Sequence, residues 1–226
     1  MEYKLICFDV DGTLITGRGR RNYWNLLHSE LLGRRGMEFN RKICSQFFSG
    51  RISYAAWVGR TLEKFRKAKV TKKDFQKVAR NLDLTGGTEK LLAALKKRKY
   101  KIAIISGSLD ILVETLLPKV KFDEVFINRV FFKGGLISGW SATRFDQGKK
   151  AGALRIMCER EGISASEAIF VGDSHNDVDA LRAAGLGIAF HPKDLSVESA
   201  ADAVVRRGAL DRILKIIDSA ENQPPG

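Results

Sequence analysis

Five short and almost wholly apolar runs recur along the chain of 226 residues, and they restrict its fold more than any other feature. Each run has the length and the composition of a buried β-strand. The runs are 3–8, 101–105, 168–172, 186–190 and 201–205. Amphipathic helical patterns alternate with them, which predicts an α/β fold: a Rossmann-like parallel sheet with helices on both faces. The segment 124–140 interrupts the alternation, and Lys133-Gly134-Gly135 at its centre predicts a β-hairpin.

A second unit is predicted between the first two strands. Residues 16–84 have a helical pattern throughout, with Trp24, Leu27 and Leu31 on one face. This pattern predicts a small helical cap domain, 16–84, inserted into a core domain made of residues 1–15 and 85–226. The insert holds 17 Lys and Arg against 5 Asp and Glu, which is nearly all of the net charge of +13. Such a segment attracts anions, including phosphorylated metabolites, nucleic acid and acidic surfaces.

The composition also indicates where the protein acts. No run of about 18 apolar residues is present, so no membrane span is expected. The first residues show no basic segment followed by an apolar stretch and a cleavage site, which favours a cytoplasmic protein. The three cysteines are far apart, which argues against a zinc site or a disulfide framework. We expect a monomer or a homodimer.

Two carboxylates follow the first strand, in Asp9-Val10-Asp11-Gly12-Thr13. Alternate side chains of an extended chain share a face, so Asp9 and Asp11 can project together. Two carboxylates so close can hold a cation, or divide into an ionised nucleophile and a protonated acid. An ordinary turn after a strand explains the same residues.

Three more polar segments have a functional and a plain interpretation. Ser106-Gly107-Ser108 follows the second strand and is expected to open a helix, where free N–H groups suit a phosphate; a helix cap is the alternative. Lys149-Lys150 at a helix start suits an anion between the two lysines, or is a solvated pair. Asp173 and Asp177, in a strand-to-helix turn, can hold a hard cation; the alternative is a turn with an Asp N-cap.

The position of these segments favours the functional interpretation. Asp9, Ser106 and Asp173 are predicted at the carboxyl ends of parallel strands, and Lys150 starts a helix at the same edge. Open α/β sheets bind ligands at that edge. The motifs D-V-D-G-T, S-G-S, Lys150 and G-D-S-H-N-D also resemble, in order, the four motifs of the haloacid dehalogenase-like phosphatases. The helical insert and the segment 150–190 are most similar to the phosphoserine phosphatase-like branch.

The resemblance implies a magnesium-dependent phosphatase and a role for each matching residue. Asp9 would be the nucleophile that forms an aspartyl-phosphate, and Asp11 the general acid and base. Mg²⁺ would be bound by Asp9, Asp173 and the backbone carbonyl of Asp11, with Asp177 orienting these ligands and Lys150. The phosphoryl oxygens would be held by four residues: Ser106, Gly107, Lys150 and Asn176. The substrate would be a small phosphorylated metabolite.

One departure from that branch concerns the substrate. Phosphoserine phosphatases have a glutamate after the first motif that holds the substrate's amino group, where this chain has Arg18. Gly59 aligns with their cap arginine, and Arg60 is one residue away. We therefore predict that Arg18 selects a leaving group that is itself anionic.

Two other functions stay open at this point. The same aspartyl-phosphate could serve a phosphotransferase or mutase, since the sequence does not show whether water or an alcohol accepts the phosphoryl group. The basic insert could direct a phosphatase to nucleotides or nucleic acid. Nucleic acid is the less favoured partner, because the basic residues form no recognised nucleic-acid motif.

Overall fold

A computed structural model of the chain describes residues 2–17 and 22–222. These residues form nine strands: β1 (Leu5–Phe8), β2 (Ile15–Thr16), β3 (Asp83–Leu84), β4 (Lys101–Leu109), β5 (Glu124–Lys133), β6 (Leu136–Ser141), β7 (Ala168–Gly172), β8 (Leu186–Phe190) and β9 (Ala203–Val205). They also form nine α-helices: α1 (Tyr23–Phe48), α2 (Tyr54–Lys67), α3 (Lys72–Ala79), α4 (Thr88–Lys97), α5 (Asp110–Leu116), α6 (Lys150–Glu161), α7 (Val178–Ala183), α8 (Leu195–Glu198) and α9 (Ile213–Glu221).

Seven of the strands form one sheet in the order β6-β5-β4-β1-β7-β8-β9. All neighbours in this sheet are parallel except β5 and β6, which form the predicted antiparallel hairpin around Gly134 and Gly135. Both glycines have positive φ, as a two-residue hairpin turn requires. The predicted α/β fold with a mostly parallel sheet is therefore confirmed.

The alternation of side chains in β1 divides the core into two layers. Leu5 and Cys7 point to the face covered by α6, α7 and α8, whereas Ile6 and Phe8 point to the face covered by α4, α5 and α9. All four side chains are buried, as expected for a central parallel strand covered on both faces.

Helices α1, α2 and α3, called the cap helices below, lie between β2 and β3 in the chain. Strands β2 and β3 pair with each other antiparallel, so the chain returns beside the point where it left the core. The cap boundaries that we propose, residues 16 and 84, fall in this strand pair. Helix α1 is broken at Gly33, where φ is 58°.

The cap helices also contact the hairpin. The backbone N–H of Lys72 donates to the carbonyl of Gly135 at 2.8 Å, and Gly59 lies against the ring of Trp140. The cap helices are thus fixed to the core at the hairpin as well as through β2 and β3.

Candidate active site

The strand register brings three of the predicted motifs together. In β1, Phe8 pairs with Ile104 of β4 on one side and with Val171 of β7 on the other. Asp9, Ser106 and Asp173 therefore leave the same edge of the sheet from adjacent strands. All three side chains are buried.

Lys150 is the most deeply buried cation of this cluster. Its side chain is 0% exposed, and its Nζ lies 2.8 Å from Oδ1 of Asp9 and 2.6 Å from Oδ1 of Asp177. Burial alone would lower the pKa of Lys150, but the charges of Asp177 and Asp9 outweigh it and raise this pKa. Lys150 is therefore a fixed positive charge, which links Asp9, the candidate nucleophile, to Asp177. Lys149, by contrast, is exposed.

Asp177 has both carboxylate oxygens in use. Oδ2 accepts hydrogen bonds from the backbone N–H groups of Asp173 and Ser174, both at 3.0 Å, and Oδ1 accepts from Lys150. Burial raises the pKa of Asp177 to about 6, although Lys150 opposes this shift. Asp177 thus fixes the loop that carries Asp173 and has little free capacity for a ligand of its own.

Asp173, in contrast, has an unused buried oxygen. Its Oδ2 binds Nζ of Lys193 at 2.6 Å, while Oδ1 makes no hydrogen bond within the described residues. Burial and the nearby charge of Asp9 raise the pKa of Asp173 to about 7. A buried carboxylate oxygen without a partner is costly unless it receives a proton or a cation.

The acids at this edge fit a divalent metal. Oxygen atoms of Asp9, Asp173 and Asp177 lie within 4.8 Å of one another. Hard cations such as Mg²⁺ prefer carboxylate oxygens, and the free Oδ1 of Asp173 is available to one. A cation bound here would also offset the charge that raises the pKa of Asp173.

Gly12 allows Asp173 to approach the turn after β1. Its φ is +98°, and a Cβ atom at this position would lie 2.2 Å from Oδ2 of Asp173. The D-G dipeptide is therefore needed for the close packing of the first and fourth motifs as well as for the turn.

Asp11 lies at the entrance to the cap helices. The backbone N–H of Tyr23 at the start of α1 donates to Oδ1 of Asp11 at 3.2 Å. Burial and the neighbouring charge of Asp9 raise the pKa of Asp11. The two carboxylates of the first motif therefore differ in environment, as an acid and a nucleophile should.

The segment Ser106-Gly107-Ser108 differs from the prediction in one respect. It does not open a helix, because β4 continues to Leu109 and α5 begins only at Asp110. The register with β5 shifts between Ile105 and Leu109, which marks an irregularity at this segment. The phosphate candidates Ser106 and Gly107 are therefore held by an irregular strand end and not by a helix N-terminus.

Asp146 is a carboxylate that the sequence did not reveal. It is buried in the loop before α6, and its Oδ1 accepts a hydrogen bond from Nδ2 of Asn176 at 2.7 Å. A Cβ atom on Gly107 would lie 2.4 Å from Oδ2 of Asp146. This carboxylate thus lies against two residues predicted to hold phosphoryl oxygens.

A cavity of about 430 Å³ opens from these residues toward the cap helices. Asp9, Asp11, Ser106, Gly107 and Asn176 line it on the core side. Six apolar or aromatic residues line it on the cap side: Trp24, Cys44, Phe47, Phe48, Tyr54 and Trp57. The helical pattern around Trp24 is typical of a buried apolar helix face, so it does not indicate that aromatic residues line the site.

Arg18, the predicted selector of the substrate, lies outside the described residues, as do Arg20 and Arg21. Twelve of the fourteen described lysines and arginines of segment 16–84 are exposed, and none of the fourteen lines the cavity. Arg60 is among them, and its Nη1 donates to Gln46 at 3.2 Å. The described part of the basic segment therefore faces solvent.

Comparison with known proteins agrees with this arrangement. A family model described as haloacid dehalogenase-like hydrolase matches residues 3–185. The phosphoserine phosphatase of Methanocaldococcus jannaschii is 29% identical over 216 residues, which are 95% of this chain and 97% of that protein. Phosphoserine phosphatase SerB2 of Mycobacterium tuberculosis is also 29% identical over 216 residues, but the match covers only 50% of that longer protein.

A solved structure described as a phospho-aspartyl intermediate analogue of phosphoserine phosphatase is similar over nearly the whole chain. Its TM-score is 0.74 at 26% identity, and the match covers 96% of this chain and 99% of that one. Within the described residues, no helix is both long and apolar enough to cross a membrane.

Proposed function

The chain belongs to the haloacid dehalogenase-like hydrolase family and is a phosphoric monoester hydrolase, and we propose that it hydrolyses a small phosphate monoester through an aspartyl-phosphate on Asp9. The observation that carries the proposal is the position of Asp9, which is buried at the end of β1 and bound to Lys150. A carboxylate oxygen held at this position, with the positive charge of Lys150 beside it, can act as a nucleophile.

The reaction would proceed in two displacements at phosphorus. A carboxylate oxygen of Asp9 attacks the phosphorus atom, the ester P–O bond breaks, and Asp11 donates a proton to the leaving oxygen. Asp11 then accepts a proton from water, whose oxygen attacks the phosphorus atom, and the bond to Asp9 breaks. The raised pKa of Asp11 supports this role, because it favours the protonated form that the first step needs.

Four residues would hold the phosphoryl oxygens: Ser106, Gly107, Lys150 and Asn176. Lys150 contributes a fixed charge that stabilises the negative charge on the transferred group. Asn176 would have to exchange its hydrogen bond to Asp146 for one to the phosphoryl group.

Mg²⁺ is the cation that we propose for this site. Asp9 and Asp173 would bind it with carboxylate oxygens and Asp11 with its backbone carbonyl, while Asp177 orients the loop and Lys150. When bound, the metal would neutralise charge on the phosphoryl group and on the carboxylates. The free Oδ1 of Asp173 supports this assignment.

The substrate's identity is not settled by the family. The relatives named above are phosphoserine phosphatases, whereas this chain has Arg18 where that branch has a glutamate. Selection of an anionic leaving group by Arg18 stays an untested prediction, since Arg18 lies outside the described residues. The residues that line the cavity support the opposite preference, which is argued below. The phosphotransferase and nucleic-acid alternatives, the cytoplasmic location and the monomer or homodimer also stay predictions.

The decisive experiment is Asp9→Asn, assayed by phosphate release from a panel of phosphate esters with Mg²⁺. We expect a loss of about 10⁴- to 10⁶-fold, since a nucleophile is removed with little change in shape. A chelator should abolish the wild-type activity and added Mg²⁺ should restore it. Near-normal turnover by pure, folded Asp9→Asn, or full activity in chelator, would refute the mechanism. Transfer to an added alcohol in place of phosphate release would identify a phosphotransferase.

A further inference from the structure

We propose that the catalytic cavity selects phosphate esters whose leaving group is uncharged and apolar, with an aromatic ring as the best fit. The inference rests on the proposed function, because it names the substrate class of the same site. It depends on the residues that line the cavity on the side of the cap helices.

The leaving group must lie in this cavity. The cavity is lined by Asp11, the proposed proton donor to the leaving oxygen, and by Ser106 and Gly107, proposed to hold the phosphoryl group. A second cavity, of about 640 Å³, also reaches Asp11 and contains Lys193, Arg206 and Arg207. Ser106, Gly107 and Asn176 do not line that second cavity. A leaving group attached to a phosphoryl group on those three residues therefore extends toward the aromatic side chains.

The aromatic side chains form a continuous wall that begins at the phosphoryl-binding segment. Nε1 of Trp24 donates to the carbonyl of Gly107 at 3.0 Å, and the hydroxyl of Tyr54 donates to the same carbonyl at 3.3 Å. The ring centres of Trp24 and Trp57 lie 5.1 Å apart, and those of Tyr54 and Trp57 5.7 Å apart. A group bound beyond the phosphate therefore meets ring surfaces on this side.

The same wall continues to the mouth of the cavity. The ring centre of Phe47 lies 5.9 Å from that of Trp57 and 5.1 Å from that of Phe48. Phe48 is 76% exposed, so a large apolar surface faces water at this end of the wall. An apolar leaving group that covered Phe48 would remove this surface from water.

Among the described residues, charge in the cavity is confined to the core side. The described lining residues with a formal charge are Asp9, Asp11, Asp146 and Lys193, and Lys193 is bound to Asp173. Those from the cap side are uncharged. A leaving group with an ammonium and a carboxylate, as in phosphoserine, would be desolvated there without partners of opposite charge from that side, which is costly.

The polar residues on the cap side bind one another. Oδ1 of Asn22 accepts from the backbone N–H of Asn25 at 2.9 Å, and Nδ2 of Asn40 donates to Oδ1 of Asn25 at 2.8 Å. Sγ of Cys44 lies 3.4 Å from Oδ1 of Asn40. These contacts occupy much of the hydrogen-bonding capacity that a polar leaving group would need.

The test compares phosphate esters of matched chemistry in the wild type. We expect kcat/KM for 2-phenylethyl phosphate to exceed that for phosphoserine on the order of 100-fold, since both are esters of primary alcohols and only the first suits an apolar wall. Similarly, kcat/KM for 2-naphthyl phosphate should exceed kcat/KM for phenyl phosphate by about tenfold, because the second ring buries more apolar area. Equal or higher kcat/KM for phosphoserine, or for an ester with a second anionic group, would overturn the inference.

A variant ties the preference to the wall. Phe48→Ala should lower kcat/KM for 2-naphthyl phosphate by about 3- to 10-fold relative to kcat/KM for methyl phosphate, since only the larger group reaches the mouth. The matched control is Phe131→Ala, which removes another exposed ring, on β5. Equal effects of the two variants on 2-naphthyl phosphate would also overturn the inference.

The two proposals fail in different ways. If the esters are hydrolysed and Asp9→Asn abolishes their hydrolysis, the proposed function stands whatever the order of preference. If the wild type releases no phosphate from any ester, or if Asp9→Asn stays active, the proposed function fails and this inference fails with it.

Discussion

Lys150 stabilises the fold as well as the candidate site, because it is the positive charge that faces two buried carboxylates. Removing one partner of a buried ion pair leaves the others uncompensated, which typically costs about 3–5 kcal/mol. Lys150→Met should therefore lower the free energy of unfolding by about that amount at pH 8 in the presence of a chelator. Lys149→Met, which removes the exposed neighbouring lysine, is the control and should change stability by less than about 0.5 kcal/mol.

The destabilisation by Lys150→Met should shrink at lower pH. The pKa of Asp177 is already raised to about 6 in the presence of Lys150 and would rise further without it. When the pKa of a carboxylate is higher in the folded than in the unfolded state, the folded state loses stability as pH rises from the lower pKa through the higher one. Denaturant unfolding of the wild type and the variant at pH 5 and pH 8 checks this. An equal loss of unfolding free energy at both pH values would contradict the prediction.

The carboxylate of Asp146 lies beside the proposed position of the phosphoryl group. It lies against Gly107 and accepts a hydrogen bond from Asn176, two of the residues proposed to hold that group. At 4 Å and an effective dielectric constant of about 20, two like charges repel by about 4 kcal/mol. Asp146→Asn keeps the shape of the side chain and its hydrogen bond to Asn176 but removes the charge. Inorganic phosphate should therefore bind to this variant at least about tenfold more tightly than to the wild type. Calorimetric titration of phosphate into the two proteins measures the difference. Unchanged or weaker binding would mean that the charge of Asp146 does not act on the phosphoryl group.

At the scale of elements, the turn between β1 and β2 determines how closely the first and fourth motifs approach. In Gly12→Ala the new Cβ atom would clash with the carboxylate of Asp173, so either the turn or Asp173 must move. We expect Mg²⁺ to bind on the order of 10- to 100-fold more weakly, as when the groups that position metal ligands are lost. The control is Gly134→Ala in the hairpin turn, which has a positive φ and open space around it. Isothermal titration with Mg²⁺ checks the prediction, and equal affinities in the two variants would contradict it.

The elements that the sequence predicts best are those buried on both faces. Runs 168–172 and 186–190 coincide with β7 and β8, because a central parallel strand is a continuous apolar run. Strands β2 and β3 have two residues each, which is too short for any periodicity to reveal them. The apolar run 101–105 predicts the end of β4 four residues too early, since small polar residues after an apolar run are typical of a helix cap.

The candidate site was predictable only where its residues stand in motifs. Asp9, Asp173 and Lys150 occur beside predicted strand or helix ends, so the topology brings them to one edge. Asp146 and Lys193 lie in irregular loops, where the local sequence does not indicate which group a side chain will meet. The spacing of Trp24, Leu27 and Leu31 predicts one apolar helix face, but amphipathic spacing does not distinguish a buried face from one that lines a cavity.

At the scale of the whole molecule, the carbonyl of Gly107 joins the cap helices to the segment 106–108, where the proposed phosphoryl ligands Ser106 and Gly107 lie. It accepts hydrogen bonds from Trp24 of α1 at 3.0 Å and Tyr54 of α2 at 3.3 Å, and from Asn128 of β5 at 2.7 Å. Two of the three donors belong to the cap helices, which also meet the core at β2 and β3, at the hairpin, at Asp11 and at α5. We therefore expect Trp24 and Tyr54 to hold the cap helices closed over the candidate site.

The double variant Trp24→Phe, Tyr54→Phe tests this, because it keeps one aromatic ring at each position and removes both donors to Gly107. Each hydrogen bond contributes about 0.5–1.5 kcal/mol net, so opening of the cap helices should become roughly tenfold or more frequent. Backbone amides of residues 54–58 and 104–109 should then exchange with deuterated solvent faster by that factor. Tyr100→Phe is the control, since its hydroxyl binds Glu221 at 2.6 Å away from the cap helices. Exchange in the double variant no faster than in this control would show that other contacts hold the cap helices in place.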